Sequence, residues 1–131
     1  DVVATFRPSP SLSLGACCGL AREGRPVGDA AHWMGVGAYA RYAPPESKTA
    51  LALRAEYYDD ANGAISGTPQ TLKELTATLE HKPAAHLTLK LEGRYDRSSA
   101  DVFAGETTGR DGPSFSKHSQ FLVLLGAAAS F

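Results

Sequence analysis

The chain has 131 residues, of which 43% are apolar and 21% are charged, and its net charge is −1. This length suits one compact domain, and the apolar content argues against a disordered chain. A net charge near zero argues against nucleic acid as a partner, because binding to phosphates requires clustered Lys and Arg. The longest near-apolar run, 121–129, is about half of the roughly 20 residues that a membrane-spanning helix requires, so a membrane role is left only to β-strands.

The dominant pattern along the chain is the alternation of apolar and polar residues, which is typical of β-strands with one apolar face. In chain order the pattern predicts seven strands, at 2–7, 12–23, 32–42, 51–58, 74–80, 87–96 and 120–131. Most of them approach the roughly 9–11 residues with which a tilted strand crosses a bilayer.

The connections between the predicted strands alternate in length. Short turns fall at 8–11, 44–47 and 82–85. Long polar loops fall at 24–30, 59–70 and 97–119. This alternation places all the short turns at one end of the sheet, as in outer-membrane barrels, which have short periplasmic turns and long extracellular loops.

Alternation alone leaves open which face of the sheet points inward. In a soluble lipocalin-like barrel the apolar face fills the interior, whereas in a membrane barrel it contacts lipid. Here the polar face is richly charged and the apolar face is mostly Leu, Ala and Val, which favours the membrane barrel. Aromatic residues near the strand ends predict the girdles found at the two membrane interfaces. We assign to these girdles Trp33, Tyr42, Tyr57, Tyr95 and Phe121.

The sequence therefore predicts an all-β protein, an antiparallel up-and-down transmembrane β-barrel. Bacterial single-chain barrels have an even number of strands, and both of their termini are periplasmic. With short turns in the periplasm, seven strands place the first residue on the extracellular side. We therefore expect residues 1–131 to be the C-terminal segment of a single, larger barrel domain whose upstream strands are missing.

Several stretches carry a resemblance to a known family. They are 33–42, 51–60, 72–80, 91–98 and 124–131, and the most specific is Arg-x-Glu-Tyr-x-Asp-Asp at 54–60. From Trp33 onward, about three-quarters of its length, the chain resembles the OmpL-like β-barrel porins of bacterial outer membranes. The resemblance implies a pore-forming barrel inserted by the β-barrel assembly machinery, which reads a terminal aromatic residue, here Phe131. It implies no particular solute.

If the polar face lines a lumen, the lumen carries charges of both signs. The residues predicted to line it are Tyr39, Arg41, Arg54, Glu56, Glu74, Glu80, Lys90, Glu92, Arg94 and Asp96. One interpretation is a network that fixes the wall, since opposite charges on neighbouring strands stabilise a sheet by about 0.2–1 kcal/mol per pair. The other is a ladder formed by Arg41, Arg54 and Arg94 that steers anions, although mixed signs favour weak selectivity.

The strand register follows from the turns. In the hairpin around Pro44 and Pro45, a centred register sets Gly37 opposite Arg54 and Gly35 opposite Glu56, where glycine leaves room for the long side chains. The next hairpin brings further charged residues together, namely Glu74 with Arg94 or Asp96, and Glu80 with Thr88 or Lys90.

The sequence offers little catalytic chemistry. No metal-ligand spacing relates the four histidines, which are His32, His81, His86 and His118. Ser116, His118 and Asp111 lie in one loop without a nucleophile motif around them. The segment 59–63 is similar to part of a calcium loop, but with Gly63 at the glycine position, Tyr58 and Pro69 fall where the first and last carboxylates are required. We therefore interpret Asn62-Gly63 as a turn. We expect no catalytic residues, no metal and no cofactor.

The sequence thus predicts a non-enzymatic, porin-like outer-membrane channel for the passive diffusion of small polar or charged solutes. Its expected partners are outer-membrane lipid, the β-barrel assembly machinery and those solutes, and not nucleic acid. Two alternatives stay open, which are a soluble lipocalin-like barrel that binds a small apolar ligand and a plugged, structural outer-membrane barrel.

Overall fold

The computed structural model describes residues 1–26, 28–105 and 114–130, which form nine β-strands. The strands are β1 (Val2–Ser9), β2 (Leu12–Glu23), β3 (Ala31–Tyr42), β4 (Thr49–Asp60), β5 (Gln70–Ala84), β6 (Leu87–Ser98), β7 (Phe103–Ala104), β8 (Phe115–Lys117) and β9 (Ser119–Ala129). Within these ranges, no helix is long and apolar enough to cross a membrane.

Seven of the strands form one antiparallel sheet in the order β1-β2-β3-β4-β5-β6-β9. Each of these seven strands pairs with the one before it and the one after it in this order. The connection between β6 and β9 contains β7 and β8, which form a separate two-stranded ribbon. This up-and-down arrangement confirms the all-β antiparallel class, and its seven strands correspond to the seven predicted ones. Strands β1 and β9 are the edges of the described sheet.

The connections confirm the predicted alternation of short and long. The short ones, at one end of the sheet, are 10–11, 43–48 and 85–86. The long ones, at the opposite end, are 24–30, 61–69 and 99–118, the last of which contains β7 and β8. Strands of two and three residues are too short to show an alternating pattern, so the sequence did not reveal them.

The turn predicted at 82–85 lies closer to β6 than expected, because β5 continues to Ala84. The pairing of β5 with β6 is irregular between His81 and Ala84, where Pro83 has no N–H group to donate to the ladder. On the other side, the backbone N–H of Lys82 donates to the carbonyl of Lys48 at 2.7 Å. The proline therefore produces an irregularity within the strand and does not end it.

The sheet is a single layer, and its buried residues are mostly polar. Among the described residues, Ala31 and Ala50 are the buried apolar ones. Large apolar side chains are exposed instead, up to 84% for Leu125. The buried polar residues are Asp60, Gln70, Thr76, Asp96 and Ser98. In water such a sheet exposes far more contiguous apolar surface than a monomeric soluble protein tolerates.

One cross-strand contact explains a glycine in β2. Gly15 lies directly opposite Tyr39, and a Cβ atom built on Gly15 overlaps the tyrosine ring. The ring therefore covers the glycine backbone, and a side chain at this position requires the ring of Tyr39 to move.

We expect Gly15→Ala to lower the free energy of unfolding by about 1–3 kcal/mol, the usual cost of overpacking. The measurement is urea-induced unfolding of the protein in lipid vesicles. Gly126→Ala is the matched control, because a Cβ there lies at an ordinary 3.8 Å from the Cβ of Lys90. The interpretation fails if Gly15→Ala costs as much in a Tyr39→Ala background as in the wild type.

Candidate functional site

One face of the sheet collects the predicted lining residues, and we call it the charged face. Direct cross-strand partners lie on the same face of a sheet, and the pairing links all ten of these residues across β3, β4, β5 and β6. They are Tyr39, Arg41, Arg54, Glu56, Glu74, Glu80, Lys90, Glu92, Arg94 and Asp96. The opposite, apolar face carries Leu51, Leu53, Leu75, Leu79, Leu89, Leu91, Val123 and Leu125.

The charges on this face are sorted into rows that run across the strands. One row is anionic and consists of Glu56, Glu74 and Asp96, which are direct partners on β4, β5 and β6. The adjacent row, one step towards the short turns, contains Arg54 and Arg94, with a threonine between them on β5. Like charges directly opposite each other destabilise a sheet, so the anionic row depends on the cationic one.

Glu74 is the centre of this arrangement. Its Oε1 lies 2.6 Å from Nη2 of Arg54, and its Oε2 lies 2.8 Å from Nη2 of Arg94. The hydroxyl of Thr76 also donates to Oε1 at 2.8 Å. Arg94 in turn contacts Asp96 at 2.9 Å. One carboxylate thus joins two arginines on the two neighbouring strands. Its contact with Arg94 agrees with the predicted proximity of Glu74 to Arg94 or Asp96.

A second cluster lies nearer the short turns and is built around Glu80. Arg41 reaches Glu80 at 2.8 Å, although β3 and β5 are separated by β4. The residues of β4 between them are Ala50 and Ala52, whose small side chains leave space for the guanidinium. Lys90 lies opposite Glu80, as predicted, with a charge separation of 3.8 Å.

The cationic groups of these clusters are more exposed than the carboxylates they bind. Side-chain exposure is 9% for Glu74 and 19% for Glu80, against 45% for Arg41, 43% for Arg54 and 36% for Arg94. The carboxylates lie against the wall and the guanidinium groups lie above them. Both interpretations of the charges, a network that fixes the wall and a ladder of arginines, therefore describe parts of the same arrangement.

The expected centring of the β3–β4 hairpin is wrong by two residues. Gly35 lies opposite Tyr58 and Gly37 opposite Glu56, whereas Arg54 lies opposite a tyrosine. The reason is the turn, in which the glutamate after the two prolines takes a left-handed conformation with φ of 65°. The centre of the hairpin is thereby displaced beyond the prolines.

The aromatic residues divide between the two faces. On the apolar face, Tyr57, Tyr95 and Phe121 lie near the long-loop end. Tyr42 lies on the same face near the short turns. The assignment of Trp33 to a girdle on the apolar face is wrong, because the uninterrupted β2–β3 pairing sets it opposite Ala21 on the charged face. Its position near a strand end suggested a girdle, but its place in the alternation puts it on the other side. Phe131 lies outside the described residues.

The loop between β4 and β5 is folded around Asp60, which is fully buried. The carboxylate accepts hydrogen bonds from the backbone N–H groups of residues 64–66 and from a serine hydroxyl, at 2.8–3.1 Å. Asn62 and Gly63 form the predicted turn, and Gly63 has a positive φ of 61°. Asn62 also accepts a hydrogen bond from the backbone N–H of His32. Asp60 is thus a structural cap of the loop, which the sequence pattern did not indicate.

One described residue of the connection between β6 and β9 lies beside the charged face. Phe103, in β7, lines a cleft of about 230 Å³ together with residues of the main sheet. These are Glu56, Tyr58, Leu72, Lys73, Glu74, Arg94, Asp96 and Gln120. The sequence pattern missed Tyr58, Phe103 and Gln120, because the contact between loop and sheet has no periodic signal.

The same loop contains the histidine of the rejected Ser-His-Asp combination. Nδ1 of His118 lies 3.2 Å from Oδ1 of Asp101, and Asp111 lies outside the described residues. Across residues 1–26, 28–105 and 114–130, no group of three His, Cys, Asp or Glu side chains is placed to hold a metal ion.

In a comparison with protein families, the chain matches the family described as "Putative beta-barrel porin-2, OmpL-like". The match covers residues 1–131 and therefore extends the resemblance to the segment before Trp33. Comparison with curated proteins and with solved structures gives no significant match.

We expect Glu74→Gln to lower the free energy of unfolding by about 1–3 kcal/mol, because two arginines lose a charged, nearly buried partner. Glu56→Gln is the matched control. Glu56 belongs to the same row, but it is 42% exposed and lies 3.6 Å from Arg54, so its cost should stay within about 0.5 kcal/mol. Equal costs for the two variants, measured by urea unfolding in vesicles, would contradict a central role of Glu74.

Proposed function

The chain belongs to the OmpL-like β-barrel porin family, and on this premise we propose that it forms part of the wall of an outer-membrane channel. Small polar or charged solutes diffuse passively through this channel. The observation that carries the proposal is the division of the sheet into a charged face with interlocked ion pairs and an exposed apolar face.

The exposure of the two faces supports a lumen on the charged side. Thr76 and Asp96 on the charged face are 3% and 4% exposed, whereas Leu75 and Leu125 on the apolar face are 57% and 84% exposed. In a single-layer sheet, side chains crowd together on a concave face and spread apart on a convex one. The charged face is therefore assigned to the interior of the barrel, and the apolar face to lipid.

The membrane is the second part of the proposal. The family supports an outer-membrane location, and tyrosine and phenylalanine rings near both ends of the apolar face suit the two lipid interfaces. Outer-membrane lipid is thus the proposed partner of this face. Insertion by the β-barrel assembly machinery, with Phe131 as its signal, belongs to the same proposal.

Transport through such a wall requires no covalent step and no cofactor. A solute that enters the lumen exchanges part of its hydration for the fixed polar groups of the wall. The exposed guanidinium groups of Arg41, Arg54 and Arg94 attract anions, and the carboxylates beneath them limit the strength of that attraction. The proposed channel therefore has a weak preference for anions.

Single-channel recording of the full-length protein in a planar lipid bilayer tests this function. We expect discrete conductance steps in potassium chloride. A protein that inserts into the bilayer but gives no steps would contradict a channel. That result would favour a plugged structural barrel, a second candidate supported by Phe103, which lines a cleft together with residues of the charged face.

The preference for anions is tested by the reversal potential in a salt gradient. We expect Arg54→Ala to lower the ratio of anion to cation permeability roughly twofold, because it removes an exposed positive charge and leaves Glu56 and Glu74 less compensated. Arg97→Ala is the matched control, since Arg97 belongs to the opposite face of β6. An unchanged reversal potential in Arg54→Ala would reject the steering of anions.

A further inference from the structure

We propose that the outer side of the β5–β6 ladder, opposite the charged face, binds a lipid whose phosphate headgroup has a net negative charge. The phosphate lies between Lys73 and Arg97, and one acyl chain lies over Ala77 and Gly93. We call this position the ladder site. The inference rests on the proposed function, because it takes the apolar face to be the one that contacts lipid. It adds the class of lipid and the place where that lipid binds.

Two cations that face each other at the long-loop end mark the ladder site. Lys73 and Arg97 are direct partners on β5 and β6, and both are exposed. Like charges directly opposite each other destabilise a sheet. In the described part of the chain, no carboxylate forms an ion pair with either of them, including those of Asp59 and Asp101 at the same end. An anion from outside the sheet therefore stabilises this pair.

The surroundings of the two cations add room and a hydrogen-bond donor. The cations line a cleft of about 470 Å³ together with Thr71, Ser98, Ser99 and His118. The hydroxyl of Ser99 accepts a hydrogen bond from the backbone N–H of Thr71 at 2.9 Å, so its own O–H group is left to donate. Guanidinium, ammonium and hydroxyl groups all donate to phosphate oxygens. The cleft thus offers a phosphate both charge and hydrogen bonds.

The depth of the two cations in the membrane matches that of lipid headgroups. Lys73 is the direct partner of Tyr57, and Arg97 lies two residues beyond Tyr95 on the same face of β6, towards the long loops. Tyrosine rings at a membrane interface lie at the level of the headgroups. The cations therefore lie at this level or just beyond it, where a lipid has its phosphate and not its acyl chains.

A groove on the same ladder continues inward from the cleft. Ala77 and Gly93 are direct partners, and their small size leaves a groove of about 270 Å³ between larger neighbours. The larger side chains that line it are Leu51, Leu79, Leu91 and Val123. Ala77 is four residues from Lys73, which is about 13 Å along a strand. This distance places the groove at the depth of acyl chains, so one lipid molecule spans both the cleft and the groove.

The charge of the cleft selects among lipids. Two positive charges that no carboxylate contacts attract a headgroup whose phosphate is its only charge. A zwitterionic headgroup such as phosphocholine has a cation of its own, which offsets this attraction. Each Lys or Arg near a membrane surface strengthens the binding of anionic lipid about fivefold. We therefore assign the ladder site to anionic lipid and not to lipid in general.

Native mass spectrometry of the full-length protein in a neutral detergent tests the site, because it counts the lipid molecules bound to each protein. The probes are phosphatidylglycerol and phosphatidylcholine with the same acyl chains. We expect phosphatidylglycerol to bind at least about fivefold more tightly, and Lys73→Gln combined with Arg97→Gln to abolish this preference. Arg22→Gln is the matched control and should leave the preference unchanged, since Arg22 is exposed near the same end of the same face, on β2.

Ala77→Leu is an independent second variant, because it fills the groove and leaves both cations in place. Ala77 is exposed on the apolar face, so the larger side chain does not disturb the pairing of the strands. We expect this variant to weaken the binding of phosphatidylglycerol about threefold to tenfold, through lost contact with the acyl chain. Ala38→Leu, the same change on the same face of β3 and outside the groove, should have no effect.

Equal binding of the two lipids, or a preference that survives the double variant, would overturn the ladder site. An effect of Arg22→Gln as large as that of the double variant would reduce the site to general attraction between cations and anionic lipid, and would reject it too. Displacement of the lipid by inorganic phosphate, with no effect of Ala77→Leu, would make the free anion the ligand. A dimer that the double variant dissociates would assign this face to a second copy of the chain. Either of these two results contradicts a lipid site.

The inference and the proposed function fail separately. A protein that conducts but does not prefer phosphatidylglycerol overturns only the ladder site. Selective lipid binding without conductance contradicts the proposed channel and leaves the ladder site in place.

Discussion

The interleaving of one anionic row with one cationic row is the constraint on which the sheet depends. Glu56, Glu74 and Asp96 lie side by side on three strands, and this arrangement is stable only while Arg54 and Arg94 reach across from the next row. A register slip of one residue moves every charge to the apolar face. A slip of two residues sets an acidic side chain opposite a different row. The ion pairs therefore specify the register at least as much as the turns do.

This constraint takes the place of a hydrophobic core. The described sheet buries two alanines and five polar residues, which inverts the usual distribution of a soluble domain. The charged face is satisfied by its own ion pairs, whereas the apolar face has no partner within the described sheet. Asp60 and Ser98 are buried at the long-loop end. Their hydrogen bonds, to the loop after Asp60 and to Gln70, hold this end of the sheet together.

Much of this architecture could be predicted from the sequence, because a period of two residues determines both the strand and its faces. The proximity of Glu74 to Arg94 and of Glu80 to Lys90 followed from the length of one turn. The β3–β4 register did not follow in this way, because its turn contains a left-handed residue, Glu46. Gly or Asn would indicate that conformation in a sequence, and neither stands at this position.

The remaining differences come from contacts that local patterns do not record. Trp33 was assigned to a girdle because it lies near a strand end, but its position in the alternation of β3 decides which face it occupies. Tyr58 and Gln120 share a cleft with Phe103, which lies far from both in the pattern of alternation, and Asp60 caps the loop after β4 by accepting hydrogen bonds from three of its backbone amides. These contacts depend on the course of the chain between strands, which composition does not determine.

The contact of Arg41 with Glu80 across β4 has a consequence for how the wall comes together. Backbone hydrogen bonds connect only adjacent strands, so in their terms β3 and β5 are linked only through β4. An ion pair that passes over a strand, continued by Lys90 on β6, connects β3 to β5 and β6 directly. The hairpins β3–β4 and β5–β6, which the β4–β5 ladder already pairs, are thereby joined a second time into one cross-linked unit. Ala50 and Ala52 make this unit possible by being small.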